Sequence, residues 1–216
     1  MKTRNIPGWI RDESNEIIKQ YAAERVPENG NVLELGSCFG FTTETISTAI
    51  PDSAQIFVID LWMSLPLEML QRLKSSNPGC EVVMQQMIEQ CMDESYHGQP
   101  NAMLPADTFY DWWKYFTKDL NNVTHFRDFT EGVDINEVPD LDLIFQDAQH
   151  DYDGVLGELK HWWPKLKPNG ILIMDDYYKE WPGVIKAADE FFGYTKHSNL
   201  YSKPNGNGLL IVEKLI

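Results

Sequence analysis

Residues 32 to 40 read Val-Leu-Glu-Leu-Gly-Ser-Cys-Phe-Gly, an apolar run that takes in an acid and then opens into two glycines. No other stretch constrains the fold as strongly. A run apolar on both faces suits a strand buried inside a parallel sheet. Gly36 lets the backbone turn sharply at the strand's end and approach a ligand, and Gly40 does the same where a helix would begin. A second apolar run, Ile56 to Ile59, closes on Asp60, whose carboxylate is placed to accept hydrogen bonds from a ribose. Strand, glycine turn, helix, strand and acid follow one another as in a nucleotide-type cofactor site. The alternative is a tight strand-to-helix turn with no ligand.

Ile10, Ile17, Ile18, Tyr21 and Ala22 fall at helical spacing, so an amphipathic helix leads into the first strand at about 31–35. Thr42 and Thr43 are positioned to cap the helix that follows it. Further apolar runs put strands at about 55–60, 122–126, 141–146 and 170–174, with helical stretches between them, which indicates a parallel sheet. Between the fourth and fifth strands, Val155, Leu156, Leu159, Trp162, Trp163 and Leu166 make one broad apolar face, ended by Pro168-Asn169-Gly170. Trp181-Pro182-Gly183 opens another helix to about Phe192. Apolar runs at 194–201 and 209–212, separated by Pro204-Asn205-Gly206-Asn207-Gly208, predict an antiparallel hairpin at the end of the sheet. The fold class expected is α/β: a Rossmann-like, seven-stranded, mostly parallel sheet with helices on both faces and a C-terminal antiparallel strand.

A chain of 216 residues is of one-domain size. Residues 1–216 therefore read as a single domain, with an insertion at about 62–105, because that stretch exceeds an ordinary crossover and a further helix at 107–120 follows it. Six of the eight methionines (Met63, Met69, Met84, Met87, Met92 and Met103) lie there. Methionine surfaces adapt to irregular apolar partners, which suits a substrate lid, the core of an added helical subdomain, or a contact with a second copy in a homo-oligomer. The net charge of −15 works against nucleic acid and anionic membranes and favours a small-molecule partner. Cys38, Cys80 and Cys91 form an odd, unpatterned set without metal-type spacing, as expected in a reducing cytoplasm. No apolar core of signal-peptide length opens the chain and no stretch reaches the length of a membrane span.

Three features then stand together: Glu34-Leu-Gly-Ser-Cys-Phe-Gly40, Asp60, and Asp147-Ala-Gln-His-Asp-Tyr-Asp-Gly-Val-Leu156 running through Trp162-Trp-Pro-Lys-Leu-Lys-Pro-Asn-Gly170 to Met174-Asp-Asp-Tyr177. In this combination the chain resembles the class I S-adenosylmethionine-dependent methyltransferases, and within them the group similar to macrocin O-methyltransferase and the cephalosporin-hydroxylase-like proteins. The resemblance implies that Glu34, Gly36, Ser37 and Gly40 line the methionine end of S-adenosylmethionine. Cys38, in the same loop, stands where the wider superfamily more often has glycine. The resemblance further implies that Asp60 holds the ribose and that Asp128 and Phe129 frame the adenine.

The fourth and fifth strands should be sheet neighbours with ends roughly 5 Å apart, so Asp147, Asp175 and Asp176 can converge there. Three such carboxylates repel, and a hard divalent ion, Mg²⁺ or Mn²⁺, would neutralise them. The alternative is that one of Asp175 and Asp176 caps the next helix while the other is solvated. A bound ion would lower the pKa of an acceptor hydroxyl. His150, three residues from Asp147, is the side chain expected to take the proton, since imidazole titrates near neutrality. Several relatives carry an acid where this chain has Gln149. Tyr152, Tyr177 and Tyr178 flank the site, either as substrate contacts or as scaffold.

The reading that follows is a metal-assisted O-methyltransferase acting on a hydroxyl of a sugar or natural-product-like molecule. A dinucleotide-dependent oxidoreductase is a rival, opposed by the missing third glycine of G-x-G-x-x-G. A non-catalytic module that binds S-adenosylmethionine or a partner protein is another.

Overall fold

In the computed structural model, residues 6–77, 79–95, 103–193, 198–201 and 208–215 are described. In chain order the elements are α1 (Asp12–Arg25), β1 (Asn31–Leu35), α2 (Phe41–Ala49), β2 (Gln55–Ile59), α3 (Leu67–Ser76), α4 (Glu81–Ser95), α5 (Ala106–Thr117), β3 (Val123–Phe126), β4 (Leu141–Gln146), α6 (Tyr152–Trp162), β5 (Leu166–Met174), α7 (Pro182–Phe192), β6 (Ser198–Tyr201) and β7 (Leu209–Glu213). Two-residue strands Leu65–Pro66 and Met103–Leu104 pair antiparallel. The chain divides into two compact units, residues 11–37, 45–61 and 122–216 in the larger and residues 1–10, 38–44 and 62–121 in the smaller.

The larger unit holds one seven-stranded sheet in the order β3-β2-β1-β4-β5-β7-β6. β3, β2, β1, β4 and β5 pair in parallel. β7 runs against both β5 and β6, so six strands share one direction and the C-terminal strand opposes them. This is the Rossmann-like fold. The predicted hairpin is present as β6 and β7, while its turn, 202–207, lies outside the described residues.

α6 explains why the sheet stays dry on one side. Its Val155, Leu156, Leu159 and Trp162, at helical spacing, join Leu33, Leu35, Ile144 and Leu172 of the central strands and Val184 and Ala187 of α7 in one buried cluster. Each such aliphatic side chain contributes roughly 1.5–3 kcal/mol on burial.

Three local expectations need correction. Thr42 and Thr43 lie inside the first turn of α2, buried, rather than at the position before it. Gly40 is the residue before that helix, and its carbonyl accepts the first helical hydrogen bond, from Glu44 N–H at 2.9 Å. α6 stops at Trp162 and continues only as a 3₁₀ turn, Trp163–Lys165, because Pro164 has no N–H to extend the ladder. β5 begins at Leu166, not 170; its register slips between Leu141↔Leu166 and Leu143↔Ile171. Asn169 takes a left-handed φ of 65° within that irregularity.

In the smaller unit, α3 buries Leu70 and Leu73 and α4 buries Met84 and Met87. Met63 and Met103 are exposed. Phe39 packs on Phe109 and Phe116, and Trp62 packs on Tyr110 and Trp113 of α5. Among the described residues no helix is long and apolar enough to cross a membrane.

Candidate active site at the carboxyl ends of the strands

The backbone ladder runs one residue beyond four neighbouring strands. Asp60 N–H donates to Phe126 O (3.2 Å), Gly36 N–H to Ile59 O (2.9 Å), Asp147 N–H to Leu35 O (2.8 Å) and Asp175 N–H to Gln146 O (2.9 Å). Asp60, Gly36, Asp147 and Asp175 thus form one row across the carboxyl ends of β2, β1, β4 and β5. In an open α/β sheet this edge is where ligands bind.

Gly36 is obligatory in this row. Its φ is +80°, and a Cβ there would lie 2.3 Å from the Asp147 carbonyl oxygen. Immediately after it, Ser37 N–H donates to Asp60 Oδ2 at 2.8 Å, so the turn holds the acid at the end of the next strand. Glu34 is fully buried on β1. Cys38 and Gly40 belong to the smaller unit, both with left-handed φ (52° and 92°). There the Cys38 carbonyl accepts from Trp62 Nε1 at 2.9 Å, and a Cβ on Gly40 would meet Thr117 Cγ2 at 2.6 Å. Asp128 and Phe129 sit in an exposed loop past β3, the Phe129 N–H donating to Asp128 Oδ1 at 2.7 Å.

At the other end of the row, His150 Nε2 lies 2.7 Å from Asp176 Oδ2 and 3.6 Å from Asp147 Oδ1. One ligand atom from each of these three residues falls within 4.8 Å of the others. Asp176 holds this position with a left-handed φ of 58°, a backbone state that costs a non-glycine residue about 1–2 kcal/mol. Asp175 is not a member of this trio. It is buried, and its Oδ1 finds no hydrogen-bond partner among the described residues. The sequence-based grouping of Asp147, Asp175 and Asp176 is therefore brought together as Asp147, His150 and Asp176, because consecutive residues at a strand end cannot both face the same way.

Electrostatics follow from that packing. Burial and the neighbouring acids push the Asp147 carboxyl up to about 6, although its hydrogen bond to His150 pulls it down. Burial alone would lower the His150 pKa, but hydrogen bonds and attraction to Asp147 and Asp176 outweigh it and raise the ring to about 10. Asp175 is raised well above an ordinary carboxyl by burial, then by Asp147 and Asp176. A ring held in this way is an imidazolium at neutral pH. The expectation that His150 takes the acceptor's proton does not fit it.

The sequence profile of a family described as a methyltransferase domain matches residues 33–177, from β1 to just past Asp176. The chain belongs to the class I S-adenosylmethionine-dependent methyltransferases. No curated protein matches the sequence. Among solved structures, the O-methyltransferase NovP is similar at 17% identity over 94% of this chain and 79% of its own, with a TM-score of 0.59. CalS11, a TDP-rhamnose 3′-O-methyltransferase of calicheamicin biosynthesis, has a TM-score of 0.54 at 14% identity, over 94% of this chain and 80% of its own. A Streptococcus mutans protein solved in complex with S-adenosylhomocysteine (SAH) has a TM-score of 0.56 at 14% identity, over 96% and 100%.

In this methyltransferase two of the three flanking tyrosines are tied into the scaffold. Tyr177 OH donates to Asp189 Oδ1 and Tyr152 OH to Glu190 Oε2, both at 2.7 Å and both on α7. From the sequence Trp181 is expected only at the start of a helix, not beside His150. It packs on the His150 ring at 4.5 Å between centroids, and its Nε1 donates to Tyr178 OH at 3.0 Å. Glu158 escapes the sequence reading, for it sits inside a helical apolar face where spacing alone suggests nothing but core.

Proposed function

We propose that this methyltransferase transfers the methyl group of S-adenosylmethionine to a hydroxyl of a small acceptor, a sugar or natural-product-like molecule. The observation that carries the reading is the trio Asp147, His150 and Asp176, whose Asp147 stands in the same strand-end row as Gly36 and Asp60. Gly36 and Ser37, with Glu34 on the strand before them, would take the methionine part of the cofactor, Asp60 the ribose hydroxyls, and Asp128 and Phe129 the adenine. The sugar methyltransferase named above supports the acceptor class by likeness of fold, and the net charge of −15 disfavours a polyanion.

Two carboxylates and an imidazole within 4.8 Å, beside a third buried acid, make an oxygen-rich donor set that fits Mg²⁺ or Mn²⁺. Asp147 and Asp176 would hold the ion, and His150 could join them only after giving up its ring proton. When bound, such an ion supplies charge neutralisation and acidifies an acceptor hydroxyl. In the absence of an ion Asp147, with a carboxyl near 6, would take the acceptor's proton, since it is largely ionised at neutral pH yet basic enough to accept. His150 balances and orients the two aspartates.

Methyl transfer to a panel of sugars, nucleotide sugars and glycosides, read by mass spectrometry with and without Mg²⁺, tests the reading. Methylated oxygen is expected, with the rate lowered about 10²-fold or more by Asp147→Asn. Methylation on nitrogen or carbon only, or an undiminished rate in the variant, would overturn it.

A further inference from the structure

Glu158 is 1% exposed on the sheet-facing side of α6, among Val155, Leu159 and Trp162. Its Oε2 accepts from Gln146 Nε2 at 2.6 Å, and its Oε1 lies 2.8 Å from Thr130 Oγ1, whose single proton it shares with Glu131 Oε2, also at 2.8 Å. No basic residue takes part in these bonds, and burial pushes the carboxyl up to about 7 against the pull of both. A leucine on this face would be cheaper, because an acid buried among neutral partners forfeits much of its hydration. A stabilising role therefore does not account for it.

Its two partners do. Thr130 directly follows Asp128 and Phe129, and its carbonyl also accepts from Trp162 Nε1 of α6 at 2.9 Å. Gln146 is the last residue of β4, in register with Leu35 and Met174, immediately before Asp147. The three residues paired at that level each precede a member of the strand-end row: Gly36, Asp147 and Asp175. We infer that Glu158 is a positioning residue that ties the loop after β3 to the end of β4, so that the adenine-side loop and the acidic cluster are set by one buried carboxyl. The inference rests on the cofactor site proposed above.

The chemistry of the pair permits a neutral substitute. Gln146 Oε1 is buried and has no hydrogen-bond partner among the described residues, and a void of about 10 Å³ lined by Leu35, Ile144, Gln146, Glu158 and Trp162 adjoins it. With the Gln146 amide turned over, a Glu158→Gln side chain can donate to that oxygen and still accept from Thr130. Glu158→Leu can do neither.

The test uses the full chain and SAH, with calorimetry for affinity, thermal melting for stability and hydrogen exchange for the 128–132 amides. Glu158→Gln should bind within about threefold of the parent. Glu158→Leu should bind about tenfold or more weakly, with faster exchange at 128–132 and a melting temperature equal to or above the parent's. Thr130→Val, which removes the hydroxyl that Glu158 and Glu131 share but keeps the buried acid, should reproduce the exchange change and guards against misfolding of the leucine variant. Unchanged affinity and exchange in both variants, or losses that merely track a fallen melting temperature, overturn the positioning role. A parent protein that does not bind SAH overturns the cofactor site itself, a separate outcome.

Discussion

The ends of β1 and β2 and the ends of β4 and β5 lie in one row, but different forces shape them. At β1 and β2 the geometry is made by backbone: Gly36 with its φ of +80°, its N–H on Ile59 O, and the Ser37 N–H on the Asp60 carboxylate. At β4 and β5 it is made by side-chain charge, with three acids at adjoining positions and His150 between two of them. A backbone-built edge exists whatever the pH or ligand. A charge-built edge is frustrated until something neutralises it, and the raised carboxyls of Asp147 and Asp175 express that frustration.

The hardest blow to the backbone-built end is Gly36→Ala. A Cβ 2.3 Å from a carbonyl oxygen cannot be accommodated by rotating a side chain, so urea unfolding should show a loss of about 4 kcal/mol or more, with no measurable SAH binding. A loss under about 1 kcal/mol would mean that the close approach of Gly36 to Asp147 is not rigid.

The corresponding blow to the charge-built end is His150→Ala. A histidine raised from 6.5 to about 10 on folding lends stability that is fully present below about pH 6.5 and fades as pH rises through about 10. Without added metal the variant should therefore be less stable than the parent by about 3 kcal/mol at pH 7, and the two should converge toward pH 10. The parent's own raised acids slope in the same direction at lower pH: Asp147 near 6 and Glu158 near 7 make its stability decline as pH rises from the ordinary carboxyl range to those values. Melting curves from pH 5 to about 10, with and without Mg²⁺, check both slopes, and Mg²⁺ should stabilise by binding only the folded state. A constant gap between variant and parent across that range would remove the charge argument.

Asp60→Ala probes where the two kinds of edge meet, since the carboxylate is a side chain held by a backbone N–H. Affinity for SAH should fall by about 2 kcal/mol through lost charge-assisted bonds, while SAH-free stability changes less. Equal affinity would displace the ribose from Asp60.

Gly193→Ala serves as control. Its φ of 66° and ψ of 134° lie outside the left-handed helical basin, in a region that favours glycine, but a Cβ there meets nothing within 4 Å, so only the backbone cost, about 1–3 kcal/mol, is expected. If it costs as much as Gly36→Ala, conformation rather than close approach governs both positions.

Much of this architecture was legible along the chain because it is local. The apolar runs ending at Leu35, Ile59, Gln146 and Met174, the glycines at 36 and 40 and the helical face of α6 each follow from the sterics and periodicity of a few neighbouring residues, and they were enough to imply the Rossmann-like sheet and its methyltransferase resemblance. Sequence order also put Asp60 and Asp147 at strand ends. The details that moved were those where two nearby signals compete, as with Gly40 displacing Thr42 and Thr43 at the start of α2.

What only the tertiary structure decided is how distant side chains meet and what charge they then carry. Nothing in the spacing of Asp175 and Asp176 says that the first turns inward while the second, in a left-handed conformation, reaches His150 twenty-six positions earlier in the chain. Nor does helical periodicity reveal that Glu158 on an apolar face meets Thr130 and Gln146. Protonation depends on burial and on neighbours brought from other strands, which is why His150 reads as a base along the sequence and stands as a cation in the folded protein.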